Sequence, residues 1–354
     1  MKTLEIRLSQ KKYSISIEKG ILGKIGEEIG KIYQNKKIAI ITDSNVEELY
    51  GKKLIDSLSK NNFKTKTIVI EPGEKSKSLE TAKCIYEGLL DFEITRSDMV
   101  LAFGGGVVGD IGGFVASTLL RGIQFIQIPT SLLAQIDSSV GGKVAVNLPQ
   151  GKNLVGSFYH PEAVFIDPEL LRTLDKRFLY DGLAEVIKYG CIKDRELFDR
   201  LMEIEGQEEL FDSMEEIILN CCSIKRDVVE RDERDRGERL LLNFGHTLGH
   251  AIEKYFEYNK YTHGEAVAIG MYNFTKKSEE MGITEKGATR LIKEIILKYN
   301  LPYKMPDIDR DSIIKAIRLD KKNESDNLSI VLLREIGDSF IKKINKDHID
   351  LYLV

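Results

Sequence analysis

Short apolar runs with little alternation recur through the first half of the chain, separated by stretches of helical length. Ile38-Ala39-Ile40-Ile41, Thr67-Ile68-Val69-Ile70, Met99-Val100-Leu101-Ala102-Phe103 and Phe125-Ile126-Gln127-Ile128 predict four strands. Runs lacking a polar alternate face predict a parallel sheet covered on both sides. Thr42-Asp43-Ser44-Asn45 ends the first strand with residues that cap a helix, Glu71-Pro72-Gly73-Glu74 closes the second, and Pro129 stops the fourth. After Val164-Phe165-Ile166 the texture changes. Asp167-Pro168 joins an N-cap residue to a proline at the first helical position. From there to about residue 325 helical periodicity dominates, as in Leu183, Val186, Ile187 and Gly190, and in Ile217, Ile218, Cys221 and Cys222. Ile330-Val331-Leu332-Leu333 and Phe340-Ile341 predict a small terminal hairpin. The chain therefore reads as an α/β domain over residues 1–170, with a Rossmann-like parallel sheet, and a helical domain over residues 171–354.

Composition narrows the class. A length of 354 residues suits two domains, and 42% hydrophobic with 31% charged residues is a globular balance. A net charge of −4 excludes nucleic-acid binding through bulk positive charge. No apolar run approaches the roughly 20 residues of a membrane span. The N-terminal segment from Met1 to Arg7, which carries Glu5 and has no apolar core, predicts no secretory signal. Cys84, Cys191, Cys221 and Cys222 form no C-x-x-C pair, which predicts a reducing cytoplasm.

Gly104-Gly105-Gly106-Val107-Val108-Gly109-Asp110 follows a predicted strand and opens a predicted helix. Glycines there let backbone N–H groups meet a phosphate at the positive helix end. The turn differs from the usual dinucleotide fingerprint in following the third strand and in lacking an acid about 20 residues later. Asp43, at the end of the first sheet strand, is the alternative ribose partner. The competing reading is a tight turn that packs helix on strand. A second cluster, Asp137-Ser138-Ser139-Val140-Gly141-Gly142-Lys143 with Gly151-Lys152-Asn153, reads as an anion site or as solvent-facing turn lysines.

Three of the five histidines fall at His246, His250 and His263. Asn243, His246 and His250 have the spacing of one helical face, and His263 opens a further helical segment. Upstream, Glu185 and Lys188 share a face of an otherwise apolar helix, where charged groups need partners. Glu185 with two histidines makes three ligands and one open position, the pattern of a catalytic zinc site. Core histidines bonded to backbone and an ordinary helix ion pair are the alternative. The alternating Glu230-Arg231-Asp232-Glu233-Arg234-Asp235-Arg236 run predicts a solvated turn, flanked by Lys225 and Arg239, which suit a carboxylate or phosphate.

Five blocks in order (residues 104–110, 138–143, 182–190, 242–250 and 263–268) resemble 3-dehydroquinate synthases of the sugar phosphate cyclase superfamily. The resemblance runs from about Ile38 to Asp320-Lys321-Lys322. It implies an NAD-binding α/β domain, an all-helical metal-binding domain, an active site in a cleft between them, a homodimer, and no nucleic-acid or membrane partner. The implied reaction converts 3-deoxy-D-arabino-heptulosonate 7-phosphate to 3-dehydroquinate and phosphate, within the shikimate pathway. By resemblance, Glu185, His246 and His263 bind one zinc or cobalt ion. NAD meets Asp43, Glu74, Lys77, Gly106, Val107, Val108, Gly109, Asp110, Thr130, Ser131, Lys143, Lys152, Leu170 and Thr173. Lys225 and Arg239 meet the substrate carboxylate, Lys143, Asn153 and one of Lys321 and Lys322 meet its phosphate, and Lys152 also binds substrate. Arg121 reaches across from a dimer partner. This chain has Leu119-Leu120 before that arginine, where the family often has an aromatic residue and a methionine. Asp137, Lys188 and Asn243 order hydroxyls, and His250 helps remove the C5 hydroxyl proton. An inosose- or valiolone-type cyclase, an NAD- and metal-dependent polyol dehydrogenase, and a ligand-binding regulator without catalysis remain alternatives.

Overall fold

Uninterrupted apolar runs build the centre of a seven-stranded sheet. The computed structural model describes residues 1–35, 37–235, 237–320 and 326–353. The strands are β1 (Lys2–Arg7), β2 (Lys12–Ile17), β3 (Lys37–Asp43), β4 (Lys64–Ile70), β5 (Met99–Gly104), β6 (Gln124–Pro129), β7 (Lys143–Leu148), β8 (Gly151–Phe158) and β9 (Ala163–Ile166). Their order in the large sheet is β1-β2-β9-β6-β5-β3-β4, while β7 and β8 pair with each other. β1 and β2 are antiparallel, and every other pairing in the large sheet is parallel.

Strand alternation splits the core in two. Ile38, Ile40, Leu101, Phe103, Ile126 and Ile128 face one side with Ile25, Ile29, Leu54 and Leu58. Ala39, Ile41, Val100, Ala102 and Phe125 face the other with Ile85, Leu89, Ile111 and Val115. Every residue of β5 is buried, which is why its sequence shows no alternation; each such apolar side chain stabilises the fold by about 1.5–3 kcal/mol. The helix Gly106–Thr118 lies so close to β7 that a methyl group at Gly113 would overlap Val144. Asp167, fully buried, accepts hydrogen bonds from the N–H groups of Gly20 (2.8 Å), Leu22 (3.1 Å) and Glu169 (3.1 Å).

The chain forms two compact units. One comprises Met1–Leu174 with Phe211–Glu230, the other Asp175–Leu210 with Arg231–Val354. Phe211–Glu230, most of the long helix Gly206–Arg231, belongs with the sheet. Arg172 stacks on Phe211, the Cys222 thiol donates to the Gln135 carbonyl at 3.3 Å, and Glu230 accepts from Arg7 N–H at 2.6 Å.

The second unit is helical apart from a terminal hairpin of β10 (Asn327–Glu335) and β11 (Asp338–Asn345). The helix Lys176–Lys193 buries Glu185 and Lys188 among apolar neighbours. The helix His263–Glu280 approaches it closely, because a methyl group at Gly264 would collide with the Asp181 backbone. Leu248, Ile252, Ile269, Phe274, Ile313 and Ile330 share one apolar cluster. Among the described residues no helix is long and apolar enough to cross a membrane.

Candidate active site residues

In the first unit, Gly105 caps the helix Gly106–Thr118 without a side-chain bond, so the N–H groups of Gly106, Val107 and Val108 open its positive end. A methyl group at Gly105 would sit 3.5 Å from Ser131 Oγ, and one at Gly106 would sit 3.2 Å from Ser138 Oγ. Side chains at these positions would fill the space between turn and hydroxyls, as expected of a phosphate cradle. Gly109 donates to Gly105, and Thr130 N–H donates to Gly104 at 3.0 Å. Gly105 and Gly106 leave the turn open, whereas Gly113, beyond the turn and within the helix, serves packing against Val144.

Asp110 is ion-paired with Lys77, which is only 5% exposed. Burial pushes the Asp110 carboxyl above its usual range, with the Lys77 charge opposing. Glu74 accepts from Asn147 Nδ2 at 2.7 Å, and Asn147 Oδ1 accepts from Asn153 N–H at 2.9 Å. Asn153 itself is exposed with a left-handed φ of 57°. Asp43 caps the turn after β3, accepting from the N–H groups of Asn45 and Val46. Leu170 is buried, and Thr173 Oγ1 lies 2.6 Å from the Tyr50 hydroxyl. Lys143 is exposed at the start of β7, and Lys152 is half-buried in β8. Arg121 is exposed, with φ at 70° after Leu120 at 52°.

Asp137 lies in a π-type turn over Ala134–Ser138. Lys225, 4% exposed, donates to its carboxylate at 2.9 Å and its backbone carbonyl at 2.6 Å. Two residues read separately from sequence are thus one ion pair, with the lysine buried and the aspartate partly exposed.

In the second unit, Glu185, His246 and His263 come together. Glu185 Oε1 lies 3.4 Å from His246 Nε2 and 3.5 Å from His263 Nε2, and the other carboxylate oxygen pairs with buried Lys188. His246 begins the helix His246–Tyr255, and Gly245 precedes it with φ at 81°. Asn243 is therefore not on the His246 face of that helix; it ends the short 3-10 turn Glu238–Asn243. His263 begins the helix His263–Glu280, as the spacing predicts. His246 Nδ1 is 3.1 Å from the Phe244 carbonyl, and His263 Nδ1 is 3.1 Å from Glu253 Oε2. These oxygens fix the Nδ1 protons, so that with a cation in place each Nε2 would offer its lone pair beside Glu185.

Three electron-rich atoms converge, and all lie within 4.8 Å of one another. A divalent cation fits this donor set. Burial drives the His246 imidazole down to about 3, keeping it neutral. Burial opposes charge on His263, but the Glu185 and Glu253 carboxylates outweigh it and hold that imidazole well above its usual range. The cluster therefore favours positive charge at this point. The His250 ring centroid is 5.4 Å from that of His246 and 5.9 Å from that of His263. Arg239, 4% exposed, donates to the Glu233 carbonyl at 2.8 Å. Lys321 and Lys322 lie outside the described residues.

Sequence reading missed Glu253, although its i+3 and i+7 spacing from His250 and His246 was available. It also missed Arg177, whose guanidinium donates to both Glu265 oxygens at 2.9 Å. Thr262 and Glu265 form a capping box at the helix that begins with His263. Burial raises the Glu265 carboxyl, but Arg177 and the Thr262 N–H outweigh it and lower it overall. A lowered carboxylate stabilises the fold above its unfolded value, and that contribution is lost as pH falls through the native value. Arg177 is half exposed, so the ion pair contributes only about 1 kcal/mol or less. Thermal melts of Arg177→Ala against pH are expected to show lower stability at neutral pH, the gap closing on acidification below about pH 4.

Comparison with known proteins decides the family. The 3-dehydroquinate synthase N-terminal model matches residues 67–181, and the corresponding C-terminal model matches residues 182–323. The chain belongs to the 3-dehydroquinate synthase family. It is 58% identical over 345 residues to the 3-dehydroquinate synthase of Clostridium botulinum (98% of this chain, 99% of the relative). It is 56% identical over 353 residues to that of Clostridium acetobutylicum (100% and 99%). Among solved structures, the 2-epi-5-epi-valiolone synthase of Streptomyces hygroscopicus subsp. jinggangensis, with NAD+ and Zn2+ bound, superposes with a TM-score of 0.88. It is 27% identical and covers 98% of this chain and 97% of its own. These findings bear out the family and the α/β-plus-helical fold expected from the sequence.

Proposed function

We propose that the chain is a 3-dehydroquinate synthase acting on 3-deoxy-D-arabino-heptulosonate 7-phosphate, with NAD and one divalent zinc or cobalt ion as cofactors. The observation that carries this reading is the convergence of a buried carboxylate and two oriented imidazoles on one point, in a chain of this family. Glu185, His246 and His263 would hold the metal. Residues 106–110, with Asp43, Glu74, Lys77, Thr130, Ser131, Leu170 and Thr173, would hold NAD in the first domain. When bound, the metal would supply Lewis acidity to the substrate hydroxyls, and NAD would supply reversible redox chemistry at C5.

The remaining work falls to side chains. His250 accepts the C5 hydroxyl proton. Lys188, held by its ion pair with Glu185, donates to a hydroxyl of the same substrate, and Asn243 and Asp137 orient the others. Lys225 and Arg239 clamp the carboxylate, and Lys143, Lys152, Asn153 and one of Lys321 and Lys322 hold the phosphate end, fixing the reacting carbons between two anchors. A C5 ketone acidifies C6, and the departing phosphate oxygen takes that proton, so no side chain is assigned to it. We further propose a cytoplasmic homodimer in which Arg121 of one protomer serves the partner's substrate.

The second reading is a cyclase of valiolone type, favoured by the structural likeness alone. Lys225 and Arg239 discriminate, because those substrates carry no carboxylate. Phosphate release is expected from the heptulosonate phosphate, with at least about 30-fold lower kcat/KM on a sugar phosphate lacking the carboxylate; loss of one charged anchor costs about 2–5 kcal/mol. Equal efficiency on both would favour the second reading.

A further inference from the structure

We infer that Glu253 is a positioning residue for the metal, acting through His263; this rests on the metal reading proposed above. Glu253 lies two turns after His246 on the helix His246–Tyr255 and is 5% exposed. Its Oε2 is 3.1 Å from His263 Nδ1, on the opposite side of the ring from the Nε2 that faces Glu185 at 3.5 Å. A carboxylate accepts and cannot donate, so it holds the proton on Nδ1 and leaves the Nε2 lone pair for a cation. It also makes the imidazole a more basic ligand.

The two histidines differ in how this is achieved. His246 is oriented by the main-chain carbonyl of Phe244, which comes with the backbone turn at Gly245. His263 begins its helix, and its second nitrogen is set by a side chain from a different helix. Glu253 thereby couples the placement of His263 to the helix that carries His246, and both imidazoles present the same nitrogen to Glu185. A buried carboxylate is costly to maintain without partners of this kind.

The competing possibility is that Glu253 is itself a ligand. His250, Glu253 and His263 offer donor atoms within 4.8 Å of one another. Stoichiometry separates the two.

The test is titration of the metal-free full-length chain with Co2+, followed by its visible absorption, and with Zn2+ in competition with a chelator. Glu253→Gln, Glu253→Ala and His246→Ala are compared with the unaltered chain. The expected result is one ion per chain, with Zn2+ affinity lowered about 10-fold in Glu253→Gln and up to about 100-fold in Glu253→Ala. The Co2+ spectrum should shift and metal-free melting temperatures stay close to that of the unaltered chain. Glu253→Gln keeps the side-chain volume and carries the test if the alanine variant does not fold. Unchanged affinity in a folded Glu253→Gln overturns the inference. So does binding of two ions by the unaltered chain and one by the variants, which would make Glu253 a ligand. Failure of the metal reading looks different: the unaltered chain and His246→Ala would then bind Co2+ equally weakly.

Discussion

Replacing His246 with alanine is expected to lower turnover at least about 1000-fold and to abolish tight zinc binding, while the chain stays folded. Lewis-acid stabilisation supplies several kcal/mol, and each 1.36 kcal/mol is a factor of ten in rate. His246 is buried neutral, so its removal strands no charge. Glu185→Ala makes the informative contrast. It removes a ligand as well, but it leaves the Lys188 ammonium, 1% exposed, without the carboxylate that pairs with it. Breaking a buried pair from one side costs about 3–5 kcal/mol. Both variants should lose activity, and only Glu185→Ala should also show a large fall in melting temperature. Metal content measured beside thermal melts checks this; a Glu185→Ala variant retaining its zinc would refute the ligand assignment.

Lys225→Met is expected to raise KM for the heptulosonate phosphate about 30- to 5000-fold, with zinc affinity unchanged. The arithmetic is that of losing one desolvated charge partner, about 2–5 kcal/mol. Lys225 is held by Asp137 at 2.9 Å and by that residue's carbonyl, so the ammonium is preorganised and little ordering opposes binding. Methionine keeps the apolar reach of the side chain and removes only the charge. Steady-state kinetics and a zinc competition titration distinguish the outcomes, and a KM unchanged within twofold would remove Lys225 from the substrate anchor.

The sheet centre was legible because burial on both faces leaves an unbroken apolar run, as in β3, β5 and β6. The outer strands were harder. β1 and β2 alternate (Leu4, Ile6 and Tyr13, Ile15), a period-two signal weaker than an unbroken apolar run. β8 is mostly exposed and carries almost no apolar signal. The membership of Phe211–Glu230 in the sheet unit could not be read, since one amphipathic period serves any apolar partner equally.

The site followed the same logic. Glu185 and Lys188 stood out because charge on an apolar helix demands compensation, and they do form a buried pair. Asn243 was drawn onto the His246 face by spacing alone, and the left-handed φ at Gly245 breaks that helix before it starts. Glu253 was hidden by ordinariness, a glutamate on a helix, until His263 was found beside it. Lys225 and Asp137 were each noticed, but no local pattern joins residues 88 positions apart.

The most direct test of the account is phosphate release from the heptulosonate phosphate at a small fraction of one NAD per substrate, with and without a chelator. Many turnovers per NAD are expected, with no net accumulation of NADH and with loss of activity on chelation that zinc or cobalt restores. Stoichiometric NADH production, or turnover indifferent to the chelator in a metal-free preparation, would contradict it.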